Sequence, residues 1–455
     1  MLSAVRSIAN EDPGVFEELR AREFSRLDAD NQAYLDFTGS ALYAERQITA
    51  HAERLKRSVL GNPHSENGPS LVSSAIINDA KARLLRFLDA SPDEYVVCFT
   101  ANTSAAIRLV AESYPFSPSE GLVLSSDNHN SMNGVREFAR AKDAPVRYVQ
   151  LDDELRLSSP VSVLRSFAAG GLFGFPAQSN FSGVKHPLSL VADARRLGYA
   201  VLLDAAAFLP ANRLSLRRYP ADFVALSLYK IMGFPTGVGA LVARRESLAR
   251  LKRPWFAGGT VEYASVQHGT HMLIDRDGES FEDGTPAFID IAAVADGLCF
   301  IDEIGIEEIC AHVSAHRAGF TAQLAGLRTK TGRPLAVIYG PRSTHACGGT
   351  VAFNLMQADG TPIPFARVVE RARNEGVSLR GGCFCNPGAS EAAFRFPPEI
   401  TERCLKRADV DGFSVEHFSE CLGPGIAVGA VRASMGIATN DRDIARAVSV
   451  IRSFA

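Results

Sequence analysis

Two cysteines, Cys383 and Cys385, lie one residue apart in the segment GCFCNPGAS at residues 382–390. Three uses fit this spacing: half of a metal site, a redox pair, or a single thiolate nucleophile with an incidental neighbour. The other cysteines are scattered and supply no second Cys or His pair, so no metal site is expected and most thiols are expected to be buried and reduced. A disulfide within the pair would close a strained ring. The sequence at 386–388, Asn-Pro-Gly, is typical of an exposed turn.

Lys230 and Asp204 each follow an apolar segment, DFVALSLY and AVLL respectively. An amine with an apolar strand behind it and glycines in front, in IMGFPTGVGALVA, suits covalent bonding to an aldehyde, because burial lowers its pKa. A carboxylate at a strand end needs a partner. Together the two residues suggest pyridoxal phosphate, whose pyridine nitrogen is kept protonated by a carboxylate. The alternatives are a solvated surface lysine and a helix-capping aspartate.

Three further features supply the remaining parts of such a site. The segment TANTS, at residues 100–104, lies between a predicted strand and a predicted helix, where free backbone N–H groups can bind a phosphate. Ser227 lies on the strand that leads to Lys230 and could add a hydroxyl. His129, in SSDNHNSMNG, could lie flat on the ring. A lone histidine is more often structural, so His129 counts only as a member of this set.

Strand-like segments must bring these residues together. YVVCFT, GLVLSS, VRYVQ, GLFGFP, AVLLDA and DFVALS alternate with helical stretches and predict an α/β domain with a mostly parallel sheet. Functional groups then gather at the carboxyl ends of its strands. Beyond about residue 304 the pattern predicts a smaller α+β domain. We therefore expect a large domain at 65–303 and a small domain formed by 1–64 and 304–455, which carries the cysteine loop.

The composition and charge of the chain exclude some classes of binding partner. The chain has 455 residues, 46% of them hydrophobic, and a formal net charge of −3 without long runs of either sign. This balance argues against nucleic acid as a partner. The start of the chain lacks the apolar core of a signal peptide, and no later stretch has the length of a membrane span. We expect a cytoplasmic protein that does not bind a membrane.

Eleven segments in the same order resemble a known family. They are YLDFTGSALY, GNPHSEN, FTANTSAAIRLVAE, DNHNSMNGVREFA, PAQSNFSGVKHPL, LLDAAAFLP, SLYKIMGFPTGVGALV, GGTVEY, ESFEDGTPAFIDI, LRGGCFCNPGA and VGAVRASMGIATNDRDI. The chain resembles the aminotransferase class V, cysteine-desulfurase-like enzymes, and within them the amino-terminal desulfurase domain of molybdenum cofactor sulfurases. This resemblance implies fold type I of the PLP-dependent transferases, with a seven-stranded-type sheet in the large domain.

The resemblance also implies a cofactor, pyridoxal 5'-phosphate, and a homodimer. Lys230 would be the Schiff-base lysine, Asp204 the partner of the pyridine nitrogen and His129 the stacking residue. Asn180 would lie near the phenolic oxygen of the ring. The phosphate would be bound by Asn102, Thr103 and Ser227, and from the neighbouring subunit by Thr260.

For catalysis, the resemblance implies that Arg432 binds the substrate carboxylate and that Cys385 attacks the substrate sulfur, with Cys383 as the second candidate. The expected reaction converts L-cysteine to alanine and leaves a persulfide for an acceptor such as a protein or the molybdenum cofactor. One position departs from many molybdenum cofactor sulfurases and another from ordinary desulfurases. Ser390 replaces a third cysteine of the loop, and Ala207 replaces the glutamine or histidine of ordinary desulfurases, as in the molybdenum cofactor subgroup.

Two other functions stay open at this point. One is a different PLP enzyme of class V fold, such as a C–S lyase, an epimerase or an aminotransferase that acts on a small amino acid. The other is a non-catalytic scaffold, which the presence of Lys230, Asp204, His129 and Arg432 disfavours.

Overall fold

The computed structural model describes residues 14–168, 170–276, 278–341, 343, 345–423 and 425–455. Its strands are β1 (Ala33–Tyr34), β2 (Tyr95–Thr100), β3 (Gly121–Ser125), β4 (Val146–Val149), β5 (Gly171–Pro176), β6 (Tyr199–Asp204), β7 (Phe223–Ser227), β8 (Gly239–Arg244), β9 (Val261–Ser265), β10 (Thr270–Leu273), β11 (Ala336–Tyr339), β12 (Thr350–Leu355), β13 (Val377–Ser378), β14 (Arg380–Gly382) and β15 (Ala430–Ser434).

Its helices are α1 (Val15–Glu23), α2 (Arg26–Ala29), α3 (Glu45–Arg57), α4 (Gly68–Phe87), α5 (Thr103–Ser113), α6 (Asn130–Asn133), α7 (Val135–Arg140), α8 (Pro160–Leu164), α9 (Leu190–Arg196), α10 (Leu228–Met232), α11 (Arg245–Leu248), α12 (Phe288–Ile304), α13 (Ile306–Gly326), α14 (Phe365–Asn374), α15 (Pro387–Phe394), α16 (Pro398–Asp411), α17 (Val415–Leu422) and α18 (Asp441–Arg452). A short 3₁₀ helix spans Glu279–Phe281. None of the described helices has the length and apolarity needed to cross a lipid bilayer.

A seven-stranded sheet forms the centre of the larger layered unit, in the order β2-β8-β7-β6-β5-β3-β4. Its neighbouring strands pair in parallel, except that β8 runs antiparallel to both β2 and β7. β3, β5, β6 and β7 are buried along their whole length, which is the pattern of a sheet covered on both faces. The predicted α/β class with a mostly parallel sheet is confirmed.

The sequence located most of these strands closely. YVVCFT and GLFGFP are strands along their full predicted length, and the other predicted strands agree within a residue at either end. β8 was missed, because its sequence, GALVAR, follows the glycines after Lys230 and was interpreted only as a region of close backbone approach.

The second sheet has four strands in the order β11-β12-β15-β14, and its β14 leads directly into the cysteine loop. Near this sheet, β1 pairs in parallel with β13. The amino-terminal segment thus pairs with the carboxy-terminal region. Residues 1–13 of that division lie outside the described residues, and its boundaries stay a prediction.

The expectation that most cysteines are reduced is confirmed, whereas the expectation that most are buried is wrong. Cys404 and Cys421 form a disulfide that links α16 to α17, with a Cα–Cα distance of 5.8 Å. The other six cysteines are free thiols. The sequence hid this pair because the two residues are 17 positions apart and come together only when the two helices fold back on each other.

This disulfide gives a thiol count that can be measured. We expect unreduced, denatured protein to react with six equivalents of a thiol reagent and reduced protein with eight, the total in the sequence. The double variant C404S/C421S is expected to lower stability by about 3 kcal/mol, because a loop of this length is no longer closed in the unfolded chain. Eight reactive thiols without reduction would contradict the disulfide.

Candidate active site

A cavity of about 430 Å³ opens at the carboxyl-terminal edge of the central sheet. The ends of β5, β6 and β7 and the start of α5 surround it, because parallel strands place the loops that follow them at one edge. The described residues that line it are Ala101, Asn102, Thr103, Ser104, His129, Ser131, Pro176, Gln178, Asn180, Asp204, Ala206, Ala207, Ser227, Tyr229, Lys230, Thr236 and Gly237. Seven of the eight residues predicted to bind a cofactor are therefore in one cavity; Thr260 is absent from its lining.

Lys230 lies on α10, the short helix that begins where β7 ends. Burial lowers the pKa of Lys230; the Asp204 carboxylate opposes this shift, and the guanidinium groups of Arg432 and Arg380 reinforce it. Among the described residues, no hydrogen bond or ion pair to its ammonium group is found. A partly buried amine that faces the cavity without such a partner is available for covalent chemistry.

Asp204 is the last residue of β6 and is 8% exposed. Its Oδ1 accepts a hydrogen bond from the backbone N–H of Ala206, at 2.9 Å. The small side chains of Ala206 and Ala207 leave the space in front of the carboxylate open to the cavity. A buried carboxylate that faces a cavity is suited to bind a protonated ring nitrogen.

The start of α5 forms a cradle of polar groups. Asn102 is the N-cap residue, and its side chain accepts a hydrogen bond from the Ala105 N–H at 3.0 Å. The Thr103 N–H donates to Ser227 Oγ at 2.9 Å, and the two hydroxyl groups lie 2.6 Å apart. A Cβ atom at Gly239 would lie 2.5 Å from the Asn102 carbonyl carbon, so only glycine allows β8 to approach this turn. The cradle is therefore fixed from two strands.

His129 lies at the side of the cavity, at the N-cap of α6. Its Nδ1 lies 3.0 Å from Ser131 Oγ and accepts a hydrogen bond from the Ser131 N–H at 3.2 Å. Burial lowers the pKa of His129; the Asp204 carboxylate opposes the shift and Lys230 adds to it. The ring is thus held by the start of α6 and is disposed to be neutral.

Asn180 joins the cavity to the cysteine loop. Its Nδ2 donates to the Phe384 carbonyl at 2.7 Å, and its Oδ1 accepts from Asn386 Nδ2 at 3.0 Å. Its own carbonyl accepts from Arg432 Nη1 at 2.9 Å. The guanidinium carbon of Arg432 lies 4.7 Å from the centre of the Phe384 ring. Arg432 and the loop are therefore adjacent, although Arg432 does not line the cavity itself.

The two loop thiols have different surroundings. Cys385 is exposed, and its carbonyl accepts a hydrogen bond from the N–H of Asn130, the residue after His129. Cys383 is half-buried, and its Sγ donates to the Val428 carbonyl at 3.2 Å. Burial raises the pKa of the Cys383 thiol. Accessibility thus favours Cys385 as the reactive thiol.

The predicted exposed turn at 386–388 is wrong, because α15 begins at Pro387 and Asn386 is its fully buried N-cap. Asn386 Oδ1 accepts from the Ala389 N–H at 3.2 Å, and its Nδ2 also donates to Asp127 Oδ1 at 2.7 Å. Asn followed by Pro is a helix-start signal that the sequence did contain. The loop is therefore anchored by a buried side chain directly after Cys385.

Three polar residues were not identified from the sequence. Two lie near Asn386 and one binds the arginines of the small sheet. Asp127 is completely buried and accepts hydrogen bonds from Ser179 Oγ at 2.8 Å and His186 Nε2 at 2.9 Å. Asp36 binds both Arg380 and Arg432. A carboxylate in the short apolar segment YLDF was the available signal for Asp36; nothing local distinguishes Asp127 or His186. Among the described residues, no group of three or more His, Cys, Asp or Glu side chains could hold a metal ion.

Asn386→Ala is expected to destabilise the protein by about 2–4 kcal/mol, because it removes a helix cap, one of the three hydrogen-bond donors to Asp127 and the donor to Asn180 Oδ1. Equilibrium unfolding in urea measures the loss. The matched control is Asn67→Ala, which removes the exposed N-cap of α4 and its bond from the Ser70 N–H, and should cost about 1 kcal/mol. Equal losses in the two variants would show that the anchor adds nothing beyond capping.

The aminotransferase class-V family model matches residues 33–446. The chain belongs to the aminotransferase class-V family. It is 33% identical over 488 residues to the molybdenum cofactor sulfurase of Arabidopsis thaliana, which covers 97% of this chain and 58% of the relative. It is 35% identical over 448 residues to that of Bos taurus, covering 93% and 50%. The chain thus spans about half the length of these curated class-V relatives.

Solved structures of cysteine desulfurases share the fold. A cysteine desulfurase from Thermococcus onnurineus NA1, in its apo form, superposes with a TM-score of 0.79 at 21% identity and covers 99% of each chain. One from Escherichia coli superposes with a TM-score of 0.76 at 19% identity and covers 96% of this chain and 98% of its own. The predicted fold type I of the PLP-dependent enzymes is confirmed.

Proposed function

We propose that this class-V protein is a PLP-dependent cysteine desulfurase that takes sulfur from L-cysteine onto Cys385 and passes it to an acceptor. The observation that carries the proposal is one cavity with Lys230, Asp204 and a helix N-terminus, and the exposed thiol of Cys385 on the loop docked at its side. The molybdenum cofactor is the proposed acceptor, since the chain is similar to molybdenum cofactor sulfurases.

The cavity fits pyridoxal 5'-phosphate at its phosphate end. The backbone N–H groups at the start of α5 and the hydroxyl groups of Thr103 and Ser227 form a compact set of hydrogen-bonding groups. The positive end of the helix dipole favours a dianion there. Asn102, Thr103 and Ser227 are the proposed phosphate-binding residues.

The other end of the cavity fits the ring. When bound, the cofactor supplies an electron sink for the bonds around the substrate α-carbon. Asp204 would hold the ring nitrogen protonated, His129 would stack on the ring face, and Asn180 would lie beside the phenolic oxygen. Lys230 would hold the cofactor covalently and, once released, its amine would move protons at the substrate, a task that its lowered pKa suits.

Arg432 is the proposed residue for the substrate carboxylate, to which a guanidinium can donate two parallel hydrogen bonds. The Cys385 thiolate then attacks the substrate sulfur. The carbon–sulfur bond of the substrate breaks and a sulfur–sulfur bond to Cys385 forms, so L-cysteine and a thiol give alanine and a persulfide. The step needs no outside oxidant or reductant, because the electron pair of the broken bond stays with carbon and a proton replaces the sulfur there.

A homodimer is part of the proposal. Thr260 is fully buried, and its hydroxyl exchanges hydrogen bonds with the N–H and carbonyl of Ala257 at 2.9 and 2.8 Å. Its role toward the phosphate of a neighbouring subunit stays a prediction, for which a change at the Ala257–Thr260 turn would have to expose the hydroxyl. A cytoplasmic location and the domain division at residues 65–303 also stay predictions.

The deciding experiment incubates the protein, reconstituted with pyridoxal 5'-phosphate, with L-cysteine. We expect visible absorbance from the bound cofactor, one alanine for each sulfur removed, and protein-bound persulfide detected by mass spectrometry. Pyruvate in place of alanine would instead identify a C–S lyase. Protein that stays colourless after reconstitution would overturn the proposal.

A further inference from the structure

Two arginines near the cavity lie directly opposite each other in the small sheet. The antiparallel register of β14 and β15 pairs Arg380 with Arg432. Like charges at directly opposite positions repel and destabilise a strand pair. The arrangement therefore requires a shared counter-ion.

Asp36 supplies this counter-ion from the amino-terminal segment. The segment runs parallel to β15 beyond β1, bridging Asp36 to Ser434, with the Phe37 N–H donating to the Ser434 carbonyl. Asp36 Oδ1 accepts from Arg432 Nη2 at 3.0 Å, and Oδ2 accepts from Arg380 Nη2 at 2.6 Å. A Cβ at Gly39 would lie 2.4 Å from Arg380 Nη2 and 2.6 Å from Asp36 Oδ2, so glycine there makes room for the pair.

The cluster is one negative charge short. Two guanidinium groups share one carboxylate, and Arg432 is only 2% exposed. Burial lowers the pKa of Arg432, while Asp36 opposes that shift. The Nε of Arg432 is buried and has no hydrogen-bond partner among the described residues. A buried donor of this kind is costly unless a ligand completes it, and a carboxylate supplies both the acceptor and the missing charge.

We infer that Asp36 is a positioning residue that holds the Arg432 guanidinium for the carboxylate of the amino-acid substrate, an inference that rests on the proposed function. Asp36 binds Nη2 and the Asn180 carbonyl binds Nη1, so the guanidinium plane is fixed from two sides. Through Arg380, the same carboxylate ties the first residue of β14 to this substrate site. Asp36 does not touch the reacting atoms; it acts through Arg432.

The kinetic test uses Asp36→Asn and Asp36→Glu. We expect D36N to raise KM for L-cysteine about tenfold to a hundredfold, with kcat within about threefold of wild type, because the guanidinium loses its fixed orientation before the substrate binds. D36E keeps the negative charge but displaces it, so its KM for L-cysteine should lie between the values of wild type and D36N. The matched control is Asp28→Asn, which breaks an ion pair with Arg20, an arginine that binds two carboxylates and is absent from the cavity lining.

The control variant D28N should have the KM and kcat of wild type. A wild-type KM in D36N overturns the inference. If D36N does not fold, a wild-type KM in D36E overturns it.

An equilibrium titration separates positioning from general support of the fold. The visible absorbance of the reconstituted protein is followed during addition of L-alanine, or of cysteamine, which lacks a carboxylate. D36N should weaken L-alanine binding at least about tenfold and leave cysteamine unchanged. Equal losses for both ligands, or no binding of L-alanine to wild type, would overturn the role of Asp36. Wild type that binds L-alanine but forms no alanine from L-cysteine would refute the proposed function alone.

Discussion

Lys230→Ala is expected to remove the visible absorbance of reconstituted protein and to lower alanine formation from L-cysteine by about a thousandfold or more. The reason is that the Lys230 side chain lines the cavity, with a pKa lowered by burial and no hydrogen-bonding partner among the described residues. The methyl side chain introduced at position 230 can neither bind the cofactor covalently nor transfer a proton. Absorbance spectra and a coupled alanine assay measure the two effects.

The matched control for this variant is Lys185→Ala. Lys185 is also partly buried, and its Nζ donates to Asn212 Oδ1 at 3.1 Å, but it does not line the cavity. Its loss should leave absorbance and turnover within about twofold of wild type. Retained absorbance and turnover in K230A would show that another group holds the cofactor.

Cys385→Ser is the second variant with a large expected effect. Persulfide on the protein should disappear, and alanine formation should fall by about a hundredfold or more, because a serine hydroxyl is not ionised near neutral pH and is a poor nucleophile toward sulfur. The variant should still bind cofactor, since Cys385 does not line the cavity. Mass spectrometry of the intact protein after exposure to L-cysteine gives the persulfide directly.

Cys383→Ser is the internal control for Cys385. The Cys383 thiol is half-buried, donates to the Val428 carbonyl and has a pKa raised by burial, all of which oppose thiolate attack. We expect C383S to keep persulfide formation within about threefold of wild type. Loss of persulfide in C383S together with its retention in C385S would show that Cys383, and not Cys385, is the nucleophile.

The central sheet was predictable from sequence because its buried parallel strands are short apolar runs bounded by turn residues. What the sequence did not predict depends instead on contacts between residues that are distant in the chain. β8 is equally apolar, but its reversed direction follows from the fold of the segment after Lys230 and not from its own residues. The Cys404–Cys421 disulfide and the helix start at Asn386 depend on contacts that composition does not reveal.

The cavity was predicted more completely than its supports. Lys230, Asp204, Ser227 and the 100–104 segment are each recognisable where a strand ends, so a single rule of parallel sheets gathers them. Asp36, Asp127 and Asn386 act through partners between 52 and 396 positions away in the chain. Such pairs are set by the register of the small sheet and by loop docking, and neither is encoded in a local pattern.

The antiparallel β8 has a mechanical consequence for the two reacting groups. β7 ends and β8 begins at the same edge of the sheet, and the Leu228 N–H donates to the Val238 carbonyl at 3.1 Å. The short segment that carries Lys230 is therefore held at both ends by interior strands of the central sheet. The cysteine loop instead leaves β14, an outermost strand of the small sheet. Lys230 is therefore held between two strands of the central sheet, whereas the loop after the edge strand β14 leaves the Cys385 thiol exposed, where another molecule can reach it.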